Sequence, residues 1–201
     1  MKRFLSLFSL VFHPIFFSVF GTLFYGYYAE NYLVQKYFSL VLFQIVVITF
    51  LLPLTFYFLL KTIGKAENFM LPDISQRKSP LLLQLALTLV LIFKVVTIDR
   101  FSELHYFFAA SCISIFAVIV LLYFKVKASI HLMAISSFTF FAIGMALHFQ
   151  LNLVYFIAFC FLMCGFVAAS RLSARAHTIA ELAIGFGLGM LTQVSLFYFW
   201  L

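Results

Sequence analysis

Residues 170–189 read SRLSARAHTIAELAIGFGLG, a polar island between the apolar run VYFIAFCFLMCGFVAA at 154–169 and a second apolar run that continues to Trp200. Arg171, Arg175, His177 and Glu181 all fall within its first twelve positions. Charge is costly inside a bilayer, so ionisable groups in such a place mark either a membrane surface or a functional site. The apolar runs on each side are long enough to cross a membrane, and the island is the connection between them.

The rest of the chain has the same character. Of 201 residues, 66% are hydrophobic and 9% charged, and the mean hydropathy is +1.16, outside the range of soluble globular domains. With thirty phenylalanines and almost no polar linker, residues 1–201 read as a single transmembrane domain. The start, MKRFLSLFSLVF, has the charge and apolarity of a signal peptide, but no small-residue cleavage site follows, and it reads as a retained first span. Cys112, Cys160 and Cys164 lie within apolar runs and read as packing residues. A net charge of +7 would point to nucleic acid in a soluble protein. Here the basic residues are confined to short segments between apolar runs, which excludes a nucleic-acid partner and points to membrane topology and an anionic ligand.

At about 20 residues per span, helices are expected near 6–28, 38–63, 80–98, 105–124, 131–148, 151–169 and 178–200. The expected fold is therefore an all-α polytopic transmembrane helical bundle of seven spans, or six if one segment is re-entrant. Alternation of direction puts the N-terminus and the segments 64–79, 125–130 and 170–177 on one membrane face. That face collects Lys2, Arg3, Lys61, Lys65, Arg77, Lys78, Lys125, Lys127, Arg171 and Arg175, and the positive-inside rule makes it cytoplasmic.

Three segments bring polar groups to that face: DISQRKSP (73–80), KASIH (127–131) and SRLSARAHTIAE (170–181). Each ends where a helix is expected to begin, so free backbone N–H groups and positive dipole ends face one region suited to phosphate. His131 and His177 each open a helix there. His105 and His148 fall at the opposite face as interfacial residues, and His13, followed by Pro14, reads as structural beside a helix irregularity. His177 and Glu181 are four apart and can share a helix face, so the carboxylate can hold one imidazole nitrogen while the other keeps a lone pair. Thr178-Ile-Ala-Glu181 also fits a capping box, in which Glu181 serves only the helix start. Arg171, Arg175, Lys125 and Lys127 could equally be flanking charges, and Ser129 a helix cap alone.

SRLSARAHTIAE resembles the third signature of the type 2 phosphatidic acid phosphatase (PAP2) superfamily, with Ser170, Arg171 and His177 in place and Glu181 where the family has Asp. Ala128-Ser129-Ile130-His131 is similar to the second signature, Pro-Ser-Gly-His, and Arg77 with Pro80 to part of the first. The GFGLG that follows is like the Gly-rich helix after the third signature, where small residues permit close packing. The resemblance covers about 64–190 as a PAP2-like catalytic core. It implies that His177 is a nucleophile on phosphorus, Glu181 its orienting carboxylate and His131 the acid on the leaving oxygen. It further implies that Arg77, Arg171, Ser170 and Ser129 hold phosphoryl oxygens, with Lys127 a substitute for the family's Lys.

The expected function is a metal-independent integral membrane lipid phosphatase of a bacterial inner membrane. Its substrate would be phosphatidic acid, phosphatidylglycerophosphate or an isoprenyl diphosphate, hydrolysed without a cofactor through a phosphohistidine. The alternatives are a non-catalytic lipid-phosphate binder or subunit of a membrane assembly, and a small transporter. Against the transporter, Lys94 is the only clear mid-helix charge, and no internal inverted repeat is visible. A metal held by His131, His177 and Glu181 is disfavoured by the few ligands and the adjacent arginines.

Overall fold

The computed structural model of the chain describes residues 8–9, 11–29, 35–65 and 74–201, and these are helical with no strand. The helices are α1 (Phe17–Tyr28), α2 (Gln35–Val46), α3 (Leu52–Thr62), α4 (Ile74–Lys94), α5 (Ser102–Tyr123), α6 (Ile130–His148), α7 (Val154–Ser173) and α8 (Ile179–Leu196). A π-helical turn, Val47–Leu51, joins α2 and α3 into one rod just before Pro53, whose ring has no N–H to donate. Short 3₁₀ turns, Pro14–Phe16 and Phe197–Phe199, precede α1 and follow α8.

Five helices among the described residues are long and apolar enough to cross a membrane: Tyr37–Thr62, Ser102–Tyr123, Ile130–His148, Val154–Ser173 and Ile179–Phe199. The other two expected spans correspond to α1, which has 12 residues, and α4. The latter has the length, but Gln76, Arg77, Lys78 and Ser79 in its opening turns lower its apolarity. It also starts at Ile74 rather than at Pro80, so Arg77 lies on a helix and not in a loop. The part of the expected 64–79 loop at 66–73 falls outside the described residues, as do Lys2 and Arg3.

α6 is the axis of the bundle, apolar around its whole circumference and covered by α1, α5, α7 and α8. Its closest partner is α8. A Cβ at Gly185 would fall on the carbonyl oxygen of Ser129, and one at Gly189 on Ser136 Oγ and the Met133 carbonyl. The missing side chains allow the two backbones to approach, and Ser136 Oγ then donates to the Phe186 carbonyl at 3.1 Å. On the outside, Tyr37, Leu40, Phe43, Phe58, Phe116 and Tyr155 are exposed, a surface matched to lipid rather than water.

The ends of α5 and α7 share one construction. Lys125 (φ 59°) and Arg175 (φ 51°) take the left-handed conformation, each donating its N–H two carbonyls back from the cap, to Leu122 and Leu172. The following residues, Val126 and Ala176, donate to Leu121 and Arg171. These are Schellman endings without the usual glycine. The second of them turns the chain sharply enough for four residues, 174–177, to carry it from α7 to the cap of α8.

On the opposite face, His105 Nδ1 donates to the Val96 carbonyl at 2.7 Å, and Glu103 accepts from His148 Nε2 at 3.1 Å and from the Tyr25 hydroxyl at 3.1 Å. These contacts tie α1, α5 and α6 at that end.

A cationic cavity lined by three histidines

Each segment that the sequence brings to one face has its own local reason for its position. α6 opens at Ser129, whose Oγ accepts the Leu132 N–H at 3.4 Å, which fixes His131 in the first turn. α8 opens at Thr178, whose Oγ1 accepts the Glu181 N–H at 3.3 Å, while Glu181 Oε2 accepts the Thr178 N–H at 3.3 Å. That is a complete capping box. The same Glu181 Oε2 lies 2.8 Å from His177 Nδ1. The two roles open to Glu181 in the sequence are therefore filled at once, because a carboxylate oxygen has lone pairs for both donors.

Arg77, His131, Arg171 and His177 line one cavity of about 220 Å³. Arg77 and Arg171 are each 5% exposed. Arg77 also donates to the Ala128 carbonyl at 3.4 Å, and Arg171 to Ser9 Oγ at 3.5 Å. The rest of the lining is largely apolar, with Phe17, Pro53, Phe56, Leu81, Ile115 and Met133, and it includes Ser111, Ser114 and Ser137.

His177 is 8% exposed. Burial pushes its pKa down to about 4, aided by the charges of Arg77, Lys127 and Arg171 and opposed by the hydrogen bond to Glu181. The neutral ring donates from Nδ1 to the carboxylate, which leaves the Nε2 lone pair for chemistry. His131 is buried, and its Nε2 has no hydrogen-bond partner among the described residues. A buried polar atom without a partner is costly, and in a cavity this one marks where a polar group of a ligand fits.

The remaining residues expected to hold phosphate are placed beside the cavity and not among its lining. Lys127 Nζ donates to the Ala176 carbonyl at 3.0 Å, which clamps the turn carrying His177. Ser129 is fully buried as the α6 cap, and Ser170 Oγ is hydrogen-bonded to Ser9 Oγ. Among the described residues, no three His, Cys, Asp or Glu side chains gather as a metal-ligand set.

His13 is the site residue that sequence reasoning missed. It caps the 3₁₀ turn Pro14–Phe16, as its irregular position implies, but its ring also lines the cavity and packs on His131. The signal was present in Ser9 and His13, polar residues four apart in a largely apolar run. Nothing local says which helix they face.

Fold and site together define an integral membrane protein of all-helical architecture with a cationic, histidine-lined cavity between its helices. Compared with protein-family models, curated proteins and solved structures, the chain has no match.

Proposed function

We propose that this protein is a membrane phosphatase of PAP2 type that removes phosphate from a lipid phosphomonoester or diphosphate without a metal. The observation that carries the reading is the 2.8 Å contact of His177 Nδ1 with Glu181 in a cavity shared with Arg77, Arg171 and His131. In this reading seven helical segments cross the membrane, α1 and α4 with the five longer and more apolar spans, and the site faces the cytoplasm of a bacterial inner membrane.

The chemistry follows from the geometry. His177 Nε2 attacks phosphorus, a P–N bond forms and the P–O bond to the lipid breaks. The leaving oxygen takes a proton from His131, and Arg77 and Arg171 hold the charge on the phosphoryl oxygens. A water then gives its proton to His131 and attacks the phosphohistidine, and the P–N bond breaks to release inorganic phosphate. The apolar part of the lining accommodates the lipid's body. Phosphatidic acid, phosphatidylglycerophosphate and isoprenyl diphosphates all present this combination of anion and chain.

A second reading, a lipid-phosphate binder without turnover, is favoured by the engagement of Lys127 and Ser129 with backbone groups. Phosphate release by purified protein in EDTA, across a panel of lipid phosphates, separates the two. The phosphatase reading expects release that is lost in His177→Ala. Binding without release on every lipid would replace it with the second.

A further inference from the structure

The N-terminal segment is stitched to the segment that carries His177. Phe12 N–H donates to the Phe8 carbonyl at 3.0 Å, a helical turn that places Ser9 and His13 on the same side. Ser9 bonds to Ser170 and accepts from Arg171, and one turn later His13 enters the cavity wall. The His13 ring stands edge-on to His131, with centroids 5.1 Å apart and planes at 86°. Its Nδ1 accepts the Ile15 N–H at 3.4 Å, so the ring is held by the 3₁₀ turn beneath it. Among the described residues, His131 Nε2 has no hydrogen-bond partner to set the ring's angle.

Resting on the phosphatase reading, we propose that His13 is a positioning residue for His131, holding that ring edge-on so that its free nitrogen meets the leaving oxygen. The contact supplies orientation that the unpartnered nitrogen lacks, since an edge-to-face pair prefers one ring angle over others. Proton transfer depends on such alignment, and a small misplacement costs rate more than binding. The segment around His13 thereby becomes part of the site, although it lies far in sequence from the other site residues.

Two substitutions separate positioning from capping. His13→Asn keeps an acceptor for the Ile15 N–H, since Asn is a favoured cap, but removes the ring. His13→Phe keeps an edge-on ring and removes the acceptor. Positioning expects His13→Asn to lose about tenfold or more in kcat with KM within about twofold, and His13→Phe to stay within about threefold of the parent protein. The opposite order, with the Phe variant impaired and the Asn variant silent, would show a cap and nothing more. Loss in both variants at unchanged thermal stability would show His13 acting through its own nitrogen, and no effect in either would remove it from the site; each overturns the proposal.

Ring ¹⁵N signals of His131, assigned by their loss in His131→Gln, provide a readout independent of turnover. They should move in His13→Asn and stay in place in His13→Phe. If the parent protein releases no phosphate from any lipid, the phosphatase reading fails, and these signals alone still decide whether His13 orients His131.

Discussion

The backbone N–H of Ser129 donates to the carbonyl oxygen of Glu181 at 3.1 Å, joining the start of α6 to the first turn of α8. This bond brings His131 and His177 to one cavity. It exists because residue 185, one turn further along α8, is glycine and leaves room for the Ser129 backbone.

Gly185→Ala should therefore push the two helix starts apart. A Cβ there meets main-chain atoms of Ser129, which cannot rotate away, and overpacking of this kind costs about 1–3 kcal/mol. Gly187→Ala is the control, since a Cβ there meets nothing within 4 Å. Thermal unfolding in detergent should show the first variant destabilised and the second unchanged or slightly stabilised.

The double duty of Glu181 predicts that its two roles can be separated. Glu181→Gln retains an oxygen to accept the Thr178 N–H but lacks the charge that stabilises a cationic His177. Phosphate release should fall at least about tenfold with little change in stability. Glu181→Ala should lose both activity and about 1 kcal/mol of cap stability. Phosphate release by Glu181→Gln equal to that of the parent, with stability lost only in Glu181→Ala, would show the carboxylate acting as a cap alone.

His177 gives stability a pH dependence with a definite sign. Its folded pKa lies near 4, below the ordinary 6.5, chiefly through burial. Between these values the unfolded chain takes up a proton that the folded one refuses, so stability falls as pH is lowered from about 6.5 towards 4. The thermal midpoint should drop over that window, and His177→Asn should remove part of the drop. The acid limb of kcat/KM should likewise have its midpoint near pH 4.

Arg175 holds a left-handed conformation at the end of α7 and is not among the residues lining the cavity. Arg175→Gly relieves that conformation and should raise stability by up to about 1 kcal/mol. Phosphate release should be unchanged. A loss of release comparable to that of an Arg171 variant would give Arg175 a part in binding.

Much of this was legible from local chemistry. Long apolar runs at bilayer length can only be helices, because backbone groups in lipid must bond within their own segment. The i,i+4 spacing of His177 and Glu181 already contains their contact, and the Thr178 to Glu181 spacing already contains the cap. What remained open was which of the two Glu181 roles applied, and sequence could not show that one oxygen serves both. Helix ends were displaced where local signals compete: Pro80 marked a start, yet α4 begins at Ile74 and carries the proline inside.

The sequence by itself determined the apolar helices, the gathering of basic residues between them and the pairing of His177 with Glu181, because each depends on neighbours within a turn or on composition. Only the tertiary structure decided that Arg77, His131, Arg171 and His177 share a cavity while Lys127, Ser129 and Ser170 stand beside it. It alone placed His13 against His131. Those relations depend on how α6 seats against α8 and on where the N-terminal turn docks, and both are set by close packing between segments far apart in the chain.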